Sequence, residues 1–177
     1  VVNGLGIVRW LTGFSEFVRH RSALQITHYW VFSLAAAFQF LLHVLFWWSL
    51  WNIRGSATIN FLSYLYLLSG PVLLFVGTAV LSPDLDGDKV DLRKHYFQAR
   101  TIYSTVLILA WLWAVFLSPV LRGTFAPNAA LFAAFMIVAV IQRLAANPTV
   151  HGVAAVINWL LLVAFIGLYQ FQLGAGT

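Results

Sequence analysis

Residues 28–51 read HYWVFSLAAAFQFLLHVLFWWSLW, a run with no charged side chain. A helix needs about 20 apolar residues to cross the hydrocarbon of a bilayer, and this run is long enough. Working outward, similar runs fill most of the chain. They lie over about Val1–Phe17, Ala57–Leu81, Thr101–Leu117, Ala129–Leu144 and Val150–Phe171, beside the one that opens at Thr27 and ends at Trp51. Over the 177 residues, 62% are hydrophobic and only 8% are charged, so water is not the solvent for most of this surface. The expectation is an all-α, polytopic transmembrane bundle of about six spans with short loops, forming one domain over residues 1–177. The first run is short and the chain opens on Val1-Val2-Asn3-Gly4, so that span is read as beginning upstream of Val1.

Composition excludes several classes of chemistry. With no cysteine, the chain has no disulfide, thiolate metal site or cysteine nucleophile. The net charge of +5 is read as loop charge that orients the chain in the membrane, and nucleic acid is not expected as a partner. Arg19, Arg21, Lys89, Arg93, Lys94, Arg100 and Arg143 fall after the odd-numbered spans, against Arg54 and Arg122 on the opposite side. By the positive-inside tendency the first group faces the cytoplasm and both termini face outward.

Short connections imply antiparallel neighbours, and Gly70-Pro71 in the middle of its span implies a kink. The one long polar stretch, Ser82 to Arg100, opens on the breaker-rich Ser82-Pro-Asp84-Leu-Asp86-Gly87-Asp88. It continues as Val90-Asp91-Leu92-Arg93-Lys94-His95-Tyr96-Phe97, acids before bases, which reads as an interfacial amphipathic helix start. The acids match neither the spacing of a calcium loop nor the double aspartate set of membrane alcohol-phosphatidyltransferases, so a solvated turn is expected. Ala129-Ala130, Ala133-Ala134, Gly152 and Ala154-Ala155 mark small-residue faces that let the fifth and sixth spans pack closely.

Polar groups inside hydrocarbon are costly, so each needs a partner or a use. Gln39, His43 and Trp47 recur at four-residue steps and are expected to share an inward face, with His28 on the same side. His43 is read either as glue between helices or as an axial ligand. No other histidine matches its depth, so a pair of stacked haems fails, and a single haem at the cytoplasmic end is the remaining haem arrangement. Ionisable groups gather at the cytoplasmic boundary: Arg9, Glu16 and His20 at helical spacing, with His28, His95 and His151 at the same level. Carboxylate and imidazole are what zinc or iron would use, but only Glu16 and His20 are brought together by spacing, and an Arg9–Glu16 pair is the simpler expectation. No catalytic residue and no metal ligand set is assigned.

The runs Leu42-His43-Val-Leu-Phe46-Trp47-Trp48, Ser69-Gly70-Pro71 and Asp91-Leu-Arg93-Lys94-His95-Tyr96-Phe97, in this order, resemble a family of small bacterial multi-pass membrane proteins of unknown function. The resemblance implies a bacterial cytoplasmic membrane and brings no activity, ligand or site residue. The sequence therefore points to a non-catalytic accessory or scaffold subunit, in contact with lipid and with other membrane subunits or further copies of itself. The alternatives are a homo-oligomeric channel or small-solute transporter, and a haem- or metal-dependent membrane enzyme at the cytoplasmic boundary.

Overall fold

The computed structural model describes residues 1–20, 25–53, 60–83 and 89–170. Six α-helices dominate it: α1 (Val2–His20), α2 (Trp30–Ile53), α3 (Phe61–Leu81), α4 (Leu92–Arg122), α5 (Ala129–Leu144) and α6 (Pro148–Phe165), the last continued by a π-helical turn, Ile166–Gln170. Two strands precede α2 and α4: β1 (Gln25–Thr27) and β2 (Lys89–Asp91), paired in parallel with Ile26 opposite Val90.

Local sequence accounts for the helix ends. Asn60 accepts from the Ser63 N–H at 2.8 Å and so caps α3, and Asn147 does the same for α6 through Thr149, just ahead of Pro148. The last residue of β2 caps α4, with Asp91 Oδ1 accepting from the Lys94 N–H at 2.9 Å. Gly123 ends α4 at φ 73°, a left-handed conformation that glycine adopts without a Cβ penalty.

Among the described residues, four helices are long and apolar enough to cross a membrane: Trp30–Leu50, Phe61–Leu81, Leu92–Arg122 and Pro148–Tyr169. The expected count of about six is not met on that standard: four helices pass it, and α1 and α5 do not, for two separate reasons. The 16 residues of α5 reach only about 24 Å at 1.5 Å per residue, short of the roughly 30 Å hydrocarbon core. The 19 residues of α1 include Arg9, Glu16 and Arg19, which break its apolar run. The interfacial segment is corrected too. Leu92 to Phe97 are the first turns of the 31-residue α4, and Val90, Leu92 and Tyr96 are buried in the bundle core rather than laid along headgroups.

Neighbouring helices alternate in direction, as short links require. Trp10 Nε1 reaches the Ala36 carbonyl while Asn3 reaches that of His43, so α1 and α2 run antiparallel. Leu81 with His95 and Tyr66 with Trp113 set α3 against α4 in the same way. Trp111 stacks on Phe135 at 4.2 Å while Arg100 bonds the Ala145 carbonyl, which joins α4 to α5. Gln142 with Asn158 and Phe132 with Phe165 join α5 to α6. Helix α2 packs on α1, α3 and α6 and touches α4, which makes it the centre of the bundle. Of the small residues read as a face between α5 and α6, Gly152, Ala154 and Ala155 are buried, with Gly152 against Trp30 of α2, whereas Ala130 is exposed.

Helix α3 runs unbroken through Pro71, and the Trp113 ring of α4 lies against Gly70. Tyr66 Oη donates to the Trp113 carbonyl at 2.8 Å, and Trp113 Nε1 donates back to the Tyr66 carbonyl at 2.7 Å. The two rings stack with centroids 6.0 Å apart, and a Cβ on Gly70 would stand 2.5 Å from Trp113 Cζ2. Gly70→Val should therefore push the indole off Tyr66 at a cost of about 1–3 kcal/mol. Thermal unfolding in detergent would register this as a lowered midpoint, and an unchanged midpoint would mean that the reciprocal lock does not hold α3 to α4.

Candidate functional site

The expected polar face of α2 sits at the middle of the bundle. Gln39 is 1% exposed and His43 is fully buried. His43 Nδ1 lies 2.6 Å from Asn3 Oδ1, and Asn3 Nδ2 donates to the His43 carbonyl at 3.0 Å. The amide oxygen can only accept, so Nδ1 carries the imidazole proton. Nε2 then accepts from the Thr78 hydroxyl at 2.9 Å. One turn earlier on α2, Gln39 Nε2 donates to the Leu74 carbonyl at 2.8 Å, and its Oε1 accepts from the Tyr103 hydroxyl at 3.3 Å. Two residues of α2 thus engage α1, α3 and α4 at once.

Glycine makes the approach possible. A Cβ on Gly6 of α1 would fall on the His43 imidazole, and one on Gly77 of α3 would stand 2.9 Å from Gln39 Nε2. Close backbone approach at small residues is the usual way for helices to associate in a membrane, and here it brings side chains of α1 and α3 into bonding range of α2.

Trp47 departs from this face. It is half exposed, because each four-residue step overshoots a turn by about 40°, and two steps carry Trp47 out of the interior. His28 lies ahead of α2, exposed, with Nε2 3.1 Å from Ser33 Oγ.

A second polar set lies at the end of the bundle where α4 and α6 begin. His151 is fully buried; its Nε2 donates to the Ala145 carbonyl at 3.0 Å and its Nδ1 accepts from the Tyr96 hydroxyl at 2.9 Å. Arg100 also donates to the Ala145 carbonyl, the last orphaned acceptor region of α5. Nearby, Arg143 Nε donates to Thr105 Oγ1 at 3.0 Å, and Asn158 Nδ2 donates to Gln142 Oε1 at 3.4 Å.

Among the described residues, the boundary histidines bond to separate partners. His95 Nε2 donates to the Leu81 carbonyl at 3.2 Å and its ring packs edge-on against Phe32. His28 and His151 each bond to other partners, and Arg9 and Glu16 lie on exposed positions of α1. His20 closes α1, and its side chain lies outside the described residues, as do Arg21, Arg54 and the stretch 84–88 expected to be a turn. Among the described residues no three of His, Asp and Glu come together in a group that could hold a metal ion. Both nitrogens of His43 and of His151 are occupied by protein partners, so an axial role for either would first require one of those bonds to break.

Sequence reasoning singled out Gln39 and His43 but not their partners. Asn3 is one of several polar residues in its run, and Thr78 lies among small residues near the end of an apolar helix. Tyr103 was visible as a neutral polar residue in a span, with no local sign of what it meets.

Thr78→Val keeps the side-chain shape and removes the donor to His43 Nε2. A lost interhelical bond in a membrane costs about 1 kcal/mol, and we expect this loss in denaturant-titrated unfolding. Adding His43→Leu to Thr78→Val should cost less than the two single losses summed, because the orphaned ring nitrogens are then removed. Strict additivity would show that the two side chains are not coupled. The chain matches no protein-family model, no curated protein and no solved structure.

Proposed function

We propose that this chain is a non-catalytic integral membrane protein that serves as an accessory or scaffold subunit of a larger membrane assembly. One observation carries the reading: six polar side chains at the middle and one end of the bundle bond to each other and to backbone carbonyls. Asn3, Gln39, His43, Thr78, Tyr103 and His151 all bond within the chain. The outward faces, by contrast, carry large apolar side chains, such as Val153, Leu160 and Val163 on α6 and Ile137 and Leu144 on α5. An exterior of this kind suits lipid or the flank of another membrane protein. The short α5 favours the second, since a helix below the hydrocarbon thickness needs neighbours or a thinned bilayer to shield its ends.

The membrane is proposed to be a bacterial cytoplasmic membrane, with the end bearing Arg19, Lys89, Arg93, Lys94, Arg100 and Arg143 inside and both termini outside. The Lys and Arg asymmetry supports this orientation, with Arg122 at the opposite end.

Two experiments test the proposal. Extraction of the full-length protein from its native membrane in mild detergent, followed by mass spectrometry of the intact particle, should find other membrane proteins at fixed stoichiometry. A homogeneous particle of this chain alone would overturn the subunit reading. Because the chain has no cysteine, single substitutions report topology cleanly. A membrane-impermeant maleimide applied to intact cells should label Thr124→Cys and leave Lys94→Cys unlabelled until the membrane is opened; the reverse pattern would invert the orientation.

A further inference from the structure

A long basic side chain near the end of a membrane helix ordinarily turns its charge out toward water. Arg143, the last residue but one of α5, does the opposite, and its Nε donates to Thr105 Oγ1 at 3.0 Å. Thr105 lies five residues further into α4 than Arg100, whose own guanidinium meets the Ala145 carbonyl at the end of α5. Five residues of helix rise carry the Arg143 contact about 7.5 Å toward the middle of the bundle. Thr105 is itself held, since its hydroxyl donates to the Thr101 carbonyl at 2.7 Å. Arg143 is nonetheless exposed, on the outer surface of the α4–α5 pair. One turn away along the two helices stand the exposed apolar side chains of Ile102, Leu109 and Val140.

A cation held among apolar side chains requires an anion, and the chain does not supply one from either helix. No Asp or Glu occurs after Asp91, which caps the start of α4 fourteen residues before Thr105. Among the described residues the two terminal nitrogens of Arg143 make no hydrogen bond. They leave four N–H donors in a planar fork that matches the oxygens of a phosphate. Thr101, Gln98 and Lys94 continue from Thr105 toward the start of α4 at helical spacing, all three exposed on one stripe. The length of α5 is a second, independent observation. Its 16 residues reach about 24 Å against roughly 30 Å of hydrocarbon, so headgroups beside it are drawn inward by a few ångströms. Arg143 stands where they arrive.

The geometry points to a binding site at Arg143, between α4 and α5, for the phosphate of an anionic phospholipid without a headgroup amine, the phosphatidylglycerol type. The guanidinium takes two phosphate oxygens while Thr105 holds it from behind. Thr101 and Gln98 donate to the headgroup oxygens beyond the phosphate, and the acyl chains run over Leu109 and Val140. Charge selects the headgroup: an ammonium there would approach Lys94, at the end of the bundle that also carries Arg93 and Arg100. The site requires only that these helices lie in a bilayer. It depends neither on the subunit reading nor on which leaflet faces the cytoplasm, so a solitary chain that kept its lipid would overturn the first and leave the site standing.

Native mass spectrometry of the full-length protein, equilibrated with phosphatidylglycerol and phosphatidylethanolamine of the same acyl chains, is the test. The parent is expected to retain one phosphatidylglycerol per chain, preferred about tenfold or more over phosphatidylethanolamine. Arg143→Gln should lose that preference. Arg19→Gln removes the same charge from an exposed position on α1 and should keep it. Thr105→Val leaves the charge in place but frees the guanidinium to swing outward, and should cut the preference about threefold or more. That variant decides the matter if Arg143→Gln does not fold. Equal retention of the two lipids, a preference untouched in both Arg143→Gln and Thr105→Val, or equal loss in Arg19→Gln would each overturn the assignment. Displacement of the lipid by inorganic phosphate at matched concentration would do so too, by showing a bare anion site.

Discussion

Everything in this bundle follows from the hydrogen bonds that His43 and Gln39 must make inside hydrocarbon. An imidazole with two polar nitrogens cannot be left bare there, and lipid offers it nothing. Asn3 and Thr78 meet that demand from opposite sides, and Leu74 and Tyr103 do the same for Gln39. Once these bonds form, the heights of α1, α3 and α4 relative to α2 are set. Gly6 and Gly77 are then constrained as well, since a larger side chain at either would hold its helix out of bonding range. Apolar packing alone would allow many rotations and slides among helices of this composition. The polar contacts choose one.

How much of this is legible in the sequence depends on how local each signal is. The apolar runs show themselves because burial in lipid demands continuous stretches, whereas the starts of α3 and α6, set by the caps Asn60 and Asn147, differ from the expected Ala57 and Val150. The inward face of α2 can be read from Gln39 and His43, because two polar residues in a charge-free run must turn away from lipid. Their partners cannot be read, because Asn3 and Thr78 lie 40 and 35 residues away from His43 and no periodicity links them. Trp47 shows the reverse failure: a repeat that looks regular on paper drifts around the helix until it faces outward. The count of spans fails at α1 and α5, where apolar character is present but uninterrupted length is not. The strands were invisible, since three residues each are too few to show alternation.

The two ends of the bundle differ in kind. At one, aromatic rings lock α3 to α4 through Tyr66 and Trp113, with no charged side chain in the pair. At the other, His95, His151 and Arg100 bond to the carbonyls of Leu81 and Ala145, the acceptors that helix ends leave open. Arg100 carries its charge to the negative end of α5, where the helix dipole favours a cation.

The parallel pairing of Gln25–Thr27 with Lys89–Asp91 bears on how the protein is made. Strand β1 leaves the ribosome before α2 and α3 have been synthesised, and it keeps an open hydrogen-bonding edge until β2 arrives. The α2–α3 hairpin must therefore enter the membrane before the ribbon can close. When β2 does pair, it ties the starting heights of α2 and α4 together, since β2 runs directly into α4 and only His28 and Tyr29 separate β1 from α2. The ribbon is a late clasp on an inserted hairpin, and a ribosome that stalled before Lys89 would release a chain whose first strand could pair with that of a neighbouring nascent chain.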